Sequence, residues 1–155
     1  MNINIGMRNI KTGLAVLICV LISRLLKLEY PFYSAIAAVI AMQTSVEASF
    51  KAGKNRMLGT FVGAVIGYVF ALIYPGNIIL ITLGVMAIIH ICNLLNWKSA
   101  VSIACVVFLS IMLNDSGRDH LYYSVNRLLD TFIGIIVALI INRFIAPPKL
   151  EKAED

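Results

Sequence analysis

The stretch NRMLGTFVG at residues 55–63 returns as NRLLDTFIG at residues 126–134. Six of the nine positions are identical, and the Met/Leu and Val/Ile exchanges conserve bulk. A match this dense within 155 residues predicts that the chain contains two copies of one structural unit. If each copy crosses a membrane three times, the two copies insert with opposite orientations. Such an inverted repeat is used by many secondary transporters.

The composition favours a membrane protein. Hydrophobic residues make up 60% of the chain and charged residues 14%, whereas soluble domains carry roughly 45–50% and about 25%. A 17.0 kDa globule cannot hide that apolar surplus, so we expect a lipid bilayer to be its solvent. The net charge of +5 is carried between the apolar runs, which is typical of span ends and argues against a nucleic-acid partner.

Apolar runs separated by charged or turn residues predict six membrane-crossing helices, at 12–28, 31–46, 57–74, 78–95, 99–113 and 121–145. Helices are expected because backbone groups in hydrocarbon must be satisfied within their own segment. The predicted fold class is therefore all-α, a polytopic membrane protein with six transmembrane helices as two inverted three-helix repeats. The module would span residues 1–148, with repeats at about 8–75 and 78–146, before a short charged cytoplasmic tail at 149–155. Breaks are predicted at 30–31, 51–54, 75–77, 96–98 and 114–117.

Lysine and arginine residues predict the orientation. With the N-terminus in the cytoplasm, nine face inward: Arg8, Lys11, Lys51, Lys54, Arg56, Lys98, Arg143, Lys149 and Lys152. Four face outward: Arg24, Lys27, Arg118 and Arg127. This bias predicts that both termini are cytoplasmic, with Arg56 at the inner start of helix 3 and Arg127 at the outer start of helix 6. The first run is predicted to be a retained span, because charged residues follow it where a signal peptide would have a cleavage site.

Two helices carry residues at four-residue spacing along one face. In helix 3 they are small: Gly59, Gly63, Gly67 and Ala71. In helix 6 the equivalent face is more polar: Asp130, Gly134, Ala138 and Asn142. Small residues allow helices to pack closely in a membrane. The alternative interpretation is that these faces line a substrate path or an interface between protomers.

Arg56 and Arg127 occupy equivalent positions of the repeat. Each is either an interfacial anchor or an anion-binding group, since a guanidinium keeps its charge and offers a planar fork to a carboxylate. Asp130 lies one turn after Arg127, so it is either neutralised by that arginine or functional, as intramembrane carboxylates often are. Glu47 and His90 are further candidates for proton coupling.

Motifs for catalysis are missing from the sequence. It contains no nucleophile triad, no Walker loop and no paired metal ligands. Cys19, Cys92 and Cys105 lie in apolar runs at spacings that fit neither a metal site nor a redox pair. We therefore expect no enzyme, no metal and no cofactor.

Residues 30–37 (YPFYSAIA), residues 43–44 (QT) and the first nine-residue copy resemble the aromatic acid exporter family. That family belongs with the fusaric acid resistance-like (FUSC-like) membrane proteins. The second copy, Ala138 and residues 147–148 (PP) resemble the end of such a six-span module. The resemblance implies efflux of small aromatic carboxylates or related organic acids through the bacterial cytoplasmic membrane. Because one unit with short spans has little room for a ligand, we also expect a homo-oligomer.

We therefore expect an exporter of a small aromatic monoanion, which enters beside Lys51 and Lys54. The expected substrate path is lined by Arg56, Gly59, Thr60, Gly63, Gly67, Thr131 and Arg127. A potential of about 100 mV, negative inside, drives one anionic charge outward by about 2.3 kcal/mol, so proton coupling is not required. Two alternatives stay open: a membrane assembly or scaffold module, and a cation or multidrug exporter that uses an unpaired carboxylate.

Overall fold

The structure is a computed structural model that describes residues 7–114 and 119–145. Within these two ranges the chain forms six α-helices, one short 3₁₀ turn and no strand, so the all-α prediction is confirmed. The helices are α1 (Met7–Leu25), α2 (Pro31–Ala41), α3 (Val46–Ile73), α4 (Ile78–Leu94), α5 (Val101–Met112) and α6 (His120–Phe144). The 3₁₀ turn, Lys98–Ala100, leads into α5. Outside the described residues lie most of the last predicted break, Arg118, Lys149, Lys152, residues 147–148 and the predicted tail.

Two of the described helices, α3 with 28 residues and α6 with 25, are long and apolar enough to cross a membrane. At about 1.5 Å per residue, both exceed a hydrocarbon core of about 30 Å. Shorter apolar helices occupy Pro31–Ala41, Ile78–Leu94 and Lys98–Met112. The six predicted crossings therefore stay a prediction.

The predicted boundary between helices 2 and 3 is wrong. Helix α2 ends at Ala41, and α3 begins at Val46 and runs without a break through the predicted loop at 51–54. The start of α3 is fixed by Ser45, whose Oγ accepts a hydrogen bond from the Ala48 amide at 3.0 Å, as an N-cap residue does. Gly53 stays helical and leaves room for Ile135, whose Cγ2 would lie 2.6 Å from a Cβ at that position. Arg56 consequently lies ten residues, about 15 Å, inside its helix.

The chain divides into two compact units. Unit 1 contains the chain up to Gly53 and from Ile133 onward, and unit 2 contains Lys54–Phe132. Unit 1 therefore holds α1, α2, the first turns of α3 and the second half of α6. Unit 2 holds the rest of α3, α4, α5 and the first half of α6. The two long helices each contribute to both units.

In unit 1, α6 packs closely against α2. A Cβ added to Gly134 would collide with the backbone oxygen of Ser34 and lie 2.5 Å from the Ala37 Cβ. The hydroxyls of Ser23 and Ser34 lie 2.8 Å apart and join α1 to α2. The start of α3 runs antiparallel to the end of α6, because Gly53 contacts Ile135 while Ser49, one turn earlier, contacts Asn142.

In unit 2, α3 packs against α5 in the same manner. A Cβ added to Gly63 would collide with the backbone oxygen of Ala104 and lie 2.9 Å from the Val107 Cβ. The ring of Phe108, fully buried, packs edge-on against Phe70 with centroids 5.8 Å apart. The last glycine of each nine-residue copy thus makes the same kind of contact. Gly63, in the first predicted repeat, contacts α5, which is the second helix of the second repeat. Gly134, in the second predicted repeat, contacts α2, which is the second helix of the first repeat.

The ends of α1 and α4 are also alike. Lys27 and Asn96 adopt positive φ values of 54° and 59°. In both places the next residue donates its amide hydrogen to a carbonyl five positions earlier, Leu28 to Ser23 and Trp97 to Cys92, each at 2.8 Å. This is a Schellman C-cap. The two halves thus resemble one another in features that the nine-residue motif does not include.

Candidate functional site

Arg56 and Arg127 are buried in the interiors of α3 and α6. Their relative exposures are 9% and 5%, and the two like charges interact electrostatically. A snorkelling anchor at a membrane surface is expected to be exposed near a helix end, so this burial favours the anion-binding interpretation over the interfacial anchor. The guanidinium carbon of Arg127 lies 5.0 Å from the ring centroid of Tyr123, a cation–π contact.

Asp130 is the third charged side chain that is buried in the described part of unit 2. Its relative exposure is 1%, and its carboxylate interacts electrostatically with Arg127, as their spacing of three residues predicts. We call Arg56, Arg127 and Asp130 the charge cluster. They are the buried arginine, lysine, aspartate and glutamate side chains of unit 2 within the described ranges, and with all three ionised their net charge is +1.

Thr60 and Thr131 are the threonines of the two nine-residue copies. Both are buried, at 1% and 3% exposure, and their Oγ1 atoms lie 3.4 Å apart. Each threonine follows the arginine of its own copy by four residues, one helical turn. The two copies of the motif therefore meet near the middle of the two longest helices.

Two atoms of the charge cluster have unused hydrogen-bonding capacity. Among the described residues, Arg56 Nε and Asp130 Oδ1 are buried without a hydrogen-bond partner. A buried polar group in this condition costs about 1–3 kcal/mol. The arrangement suits a binding site more than a structural one, because a guest with carboxylate oxygens and hydrogen-bond donors could satisfy both atoms.

The predicted glycine face of α3 is covered by α5. A Cβ added to Gly59 would lie 2.6 Å from the backbone oxygen of Ala100. A Cβ added to Gly67 would lie 3.0 Å from the Ile111 Cδ1. Gly63, between them, contacts α5 as described above. The packing interpretation is thereby supported. A substrate could pass along this face only if α5 moved away from it.

The other predicted site residues lie apart from the charge cluster. Lys51, Lys54 and His90 are exposed. Glu47 is also exposed and lines, with Arg143, an open cleft of about 580 Å³ in unit 1. A second open cleft of about 430 Å³ in unit 1 is lined by residues of α1, by one residue of α2 and by the residue after α2: Arg8, Asn9, Thr12, Gly13, Val16, Val39 and Met42. No group of His, Cys, Asp and Glu that could hold a metal occurs among the residues that the structure describes.

A second buried polar group was missed in the sequence. The Lys11 amine donates a hydrogen bond to Asn142 Oδ1 at 3.1 Å. Asn142 Nδ2 lies 2.8 Å from the Ser49 Oγ. The same nitrogen lies 3.1 Å from the backbone carbonyl oxygens of Gln43 and Ser45. We call these five residues the polar node. It joins α1, the start of α3 and α6 within unit 1. A lysine directly before the first apolar run and an asparagine in the last were the available signal, since buried polar groups require partners.

Comparison with known proteins gives a consistent result. Residues 3–145 match the family model described as aromatic acid exporter family member 1. The UPF0421 protein YgaE of Bacillus subtilis is 32% identical over 147 residues, which is 95% of this chain and 41% of the relative. A UPF0421 protein of Staphylococcus haemolyticus is 30% identical over 154 residues, which is 97% of this chain and 46% of the relative. The chain thus spans less than half the length of these relatives, and no solved structure matches it.

Proposed function

The chain belongs to the aromatic acid exporter family, and from this premise we propose that it is a membrane transporter that moves small aromatic carboxylates or related organic anions out of a bacterial cell. The observation that carries the proposal is the charge cluster. Two arginines related by the repeat are buried inside the two helices that are long enough to cross a membrane.

The charge cluster suits an anion because its net charge is positive and its surroundings exclude water. Arg56 and Arg127 repel one another, and an anion between them would relieve that repulsion. A guanidinium binds a carboxylate through two parallel hydrogen bonds. The buried hydroxyls of Thr60 and Thr131 lie on the same two helices and could donate to the remaining oxygens.

The proposed topology has six crossings arranged as two inverted repeats, with both termini in the cytoplasm. The matching C-caps of α1 and α4 support the duplication. The antiparallel pairing of α3 and α6 within unit 1 supports the inversion. Helix α2, with 11 residues, reaches about 16 Å, so its crossing would need its ends to be covered by protein.

The proposed path begins beside Lys51 and Lys54, passes the charge cluster and the two threonines, and ends beyond Arg127. The glycine face of α3 takes part as the surface on which α5 shifts. The potential across the membrane drives the anion outward. If a proton is also moved, Asp130 is the favoured carrier because it is buried, while Glu47 and His90 are exposed.

The proposed location is the cytoplasmic membrane of a bacterium, and the proposed assembly is a homo-oligomer. Many large apolar side chains are exposed, among them Leu72, Ile73, Ile78 and Ile79 at 64%, 65%, 80% and 70%. Lipid, a second copy or both would cover such surfaces.

Efflux from proteoliposomes tests the function. Vesicles that contain the full chain are loaded with labelled benzoate and held at a fixed voltage and pH. We expect voltage-dependent efflux that falls at least about tenfold in Arg56→Gln, because one charge-assisted bidentate contact is lost. Arg24→Gln removes an exposed arginine and serves as the matched control. Efflux that is equal in the two variants would remove Arg56 from the mechanism, and no efflux from the wild-type chain would refute the function.

The two alternative functions receive less support. A cation exporter needs a carboxylate without a partner, but Asp130 interacts with Arg127. A scaffold module needs its small-residue face for contacts with other chains, but Gly59, Gly63 and Gly67 contact α5 of the same chain.

A further inference from the structure

The two nine-residue copies differ in charge at one position, where Gly59 of the first corresponds to Asp130 of the second. The structure explains why the first copy has no acid. A Cβ at Gly59 would lie 2.6 Å from the backbone oxygen of Ala100 and 2.9 Å from the Ile103 Cβ. A carboxylate at that position would displace α5. Asp130 is accommodated in the second copy, where it is 1% exposed.

This difference fixes the charge of the buried site. Arg56 and Arg127 alone would present two positive charges. Asp130 cancels one of them, so the charge cluster is matched by a guest with one negative charge. In a medium of low dielectric constant, any charge left over is costly. A dianion would leave the occupied site with a charge of −1.

We propose that Asp130 sets the valence of the transported anion and restricts the site to monoanions. The proposal rests on the function proposed above and adds a specificity-determining residue to it. Asp130 acts here by its negative charge, which water and salt screen little because the side chain is 1% exposed. The substrate class that follows is a monocarboxylate with an uncharged remainder.

The test compares two probes of the same ring size at a pH where both are fully ionised. These are benzoate, with one carboxylate, and terephthalate, with two. Proteoliposomes are clamped at zero membrane potential, so that the voltage does not favour the dianion. The measured quantity is the ratio of terephthalate efflux to benzoate efflux.

We expect Asp130→Asn to raise this ratio about tenfold, a difference of about 1.4 kcal/mol. Asp130→Gly, which introduces the residue of the first copy, should raise it similarly and replaces the first variant if that one does not fold. The double variant Arg56→Gln/Asp130→Asn has a net charge of +1 again and should return the ratio to the wild-type value. Glu29→Gln removes an exposed carboxylate and should leave the ratio unchanged.

The outcomes separate this proposal from the function on which it rests. If the wild-type chain moves neither probe, the proposed function fails. If it moves benzoate but the ratio is the same in wild type, Asp130→Asn and Asp130→Gly, the function stands and the role of Asp130 is refuted. A raised ratio that the double variant does not restore would also contradict the charge-matching argument, because it would indicate a change of shape.

Discussion

Unit 1 and unit 2 use the same glycine contact but bury different polar groups. In unit 1, the side-chain amide of Asn142 accepts a hydrogen bond through Oδ1 and donates through Nδ2. In unit 2, Arg56 Nε and Asp130 Oδ1 are buried without such partners among the described residues. Satisfied polar groups rigidify a structure, and unsatisfied ones mark places where a ligand or water is expected. We therefore interpret the polar node as structural and the charge cluster as the binding site.

The difference arises at two positions of the repeated face. Asp130 corresponds to Gly59, and Asn142 corresponds to Ala71. Each polar residue occurs in the second copy only. The two halves thus share the same glycine contact and differ in the polar residues that they bury.

The largest effect that tests this comparison is expected from Asn142→Leu. The variant removes every side-chain hydrogen bond that Asn142 makes in the polar node, including the one from Lys11. We expect the free energy of unfolding to fall by about 3–5 kcal/mol, measured by titration of the detergent-solubilised protein with a denaturing detergent. Lys11→Met/Asn142→Leu replaces both partners by apolar groups and should cost less than the single change.

The matched control is Asn93→Leu, since Asn93 is exposed near the end of α4. If Asn142→Leu were no more destabilising than Asn93→Leu, the polar node would not hold unit 1 together. The assignment of a structural role to one unit and a binding role to the other would then be lost.

A smaller effect is expected from matched substitutions in the glycine contacts. Gly63→Val and Gly134→Val each place side-chain atoms against backbone of the neighbouring helix, and the backbone cannot give way cheaply. We expect each to lower the free energy of unfolding by about 1–3 kcal/mol, in the same titration. Gly13→Val is the control, because a Cβ there meets nothing within 4 Å. If one of the two substitutions left the free energy of unfolding unchanged and the other lowered it, the two units would not depend on the same glycine contact.

The sequence predicted most of the helices because its local signals are strong. Helices predicted at 78–95 and 121–145 are observed as Ile78–Leu94 and His120–Phe144. The helix predicted at 12–28 begins and ends earlier, at Met7–Leu25. The start of α3 was predicted too late in the chain, because Lys51, Gly53 and Lys54 resemble a loop by composition. The N-cap that begins the helix is Ser45, which lies before them.

The sequence indicated side-chain neighbours where two residues are close along one helix or occupy equivalent positions of the two nine-residue copies, as Thr60 and Thr131 do. The pairing of Arg127 with Asp130 follows from a spacing of three residues. The polar node does not, because Lys11 and Asn142 are separated by 131 residues. The similarity of the two halves was also partly hidden, because the number of residues between equivalent positions is not constant. It is 69 for the C-cap residues Leu28 and Trp97. It is 70 for Ser34 and Ala104 and 71 for Gly63 and Gly134, which form the glycine contacts. A single alignment offset therefore detects the nine-residue motif and misses the rest.

The smallest expected effect concerns the matching C-caps of α1 and α4. Lys27 and Asn96 adopt a left-handed backbone conformation that glycine adopts without strain. We expect Lys27→Gly to raise the free energy of unfolding by about 0.5–1 kcal/mol, and Asn96→Gly by less, because asparagine tolerates this conformation better than lysine. Leu95→Gly is the control, since Leu95 has a φ of −80° and gains nothing from glycine. A gain at one cap with a loss at the other would mean that the two helix ends are not equivalent, and the duplication would then rest on the glycine contacts and the nine-residue motif.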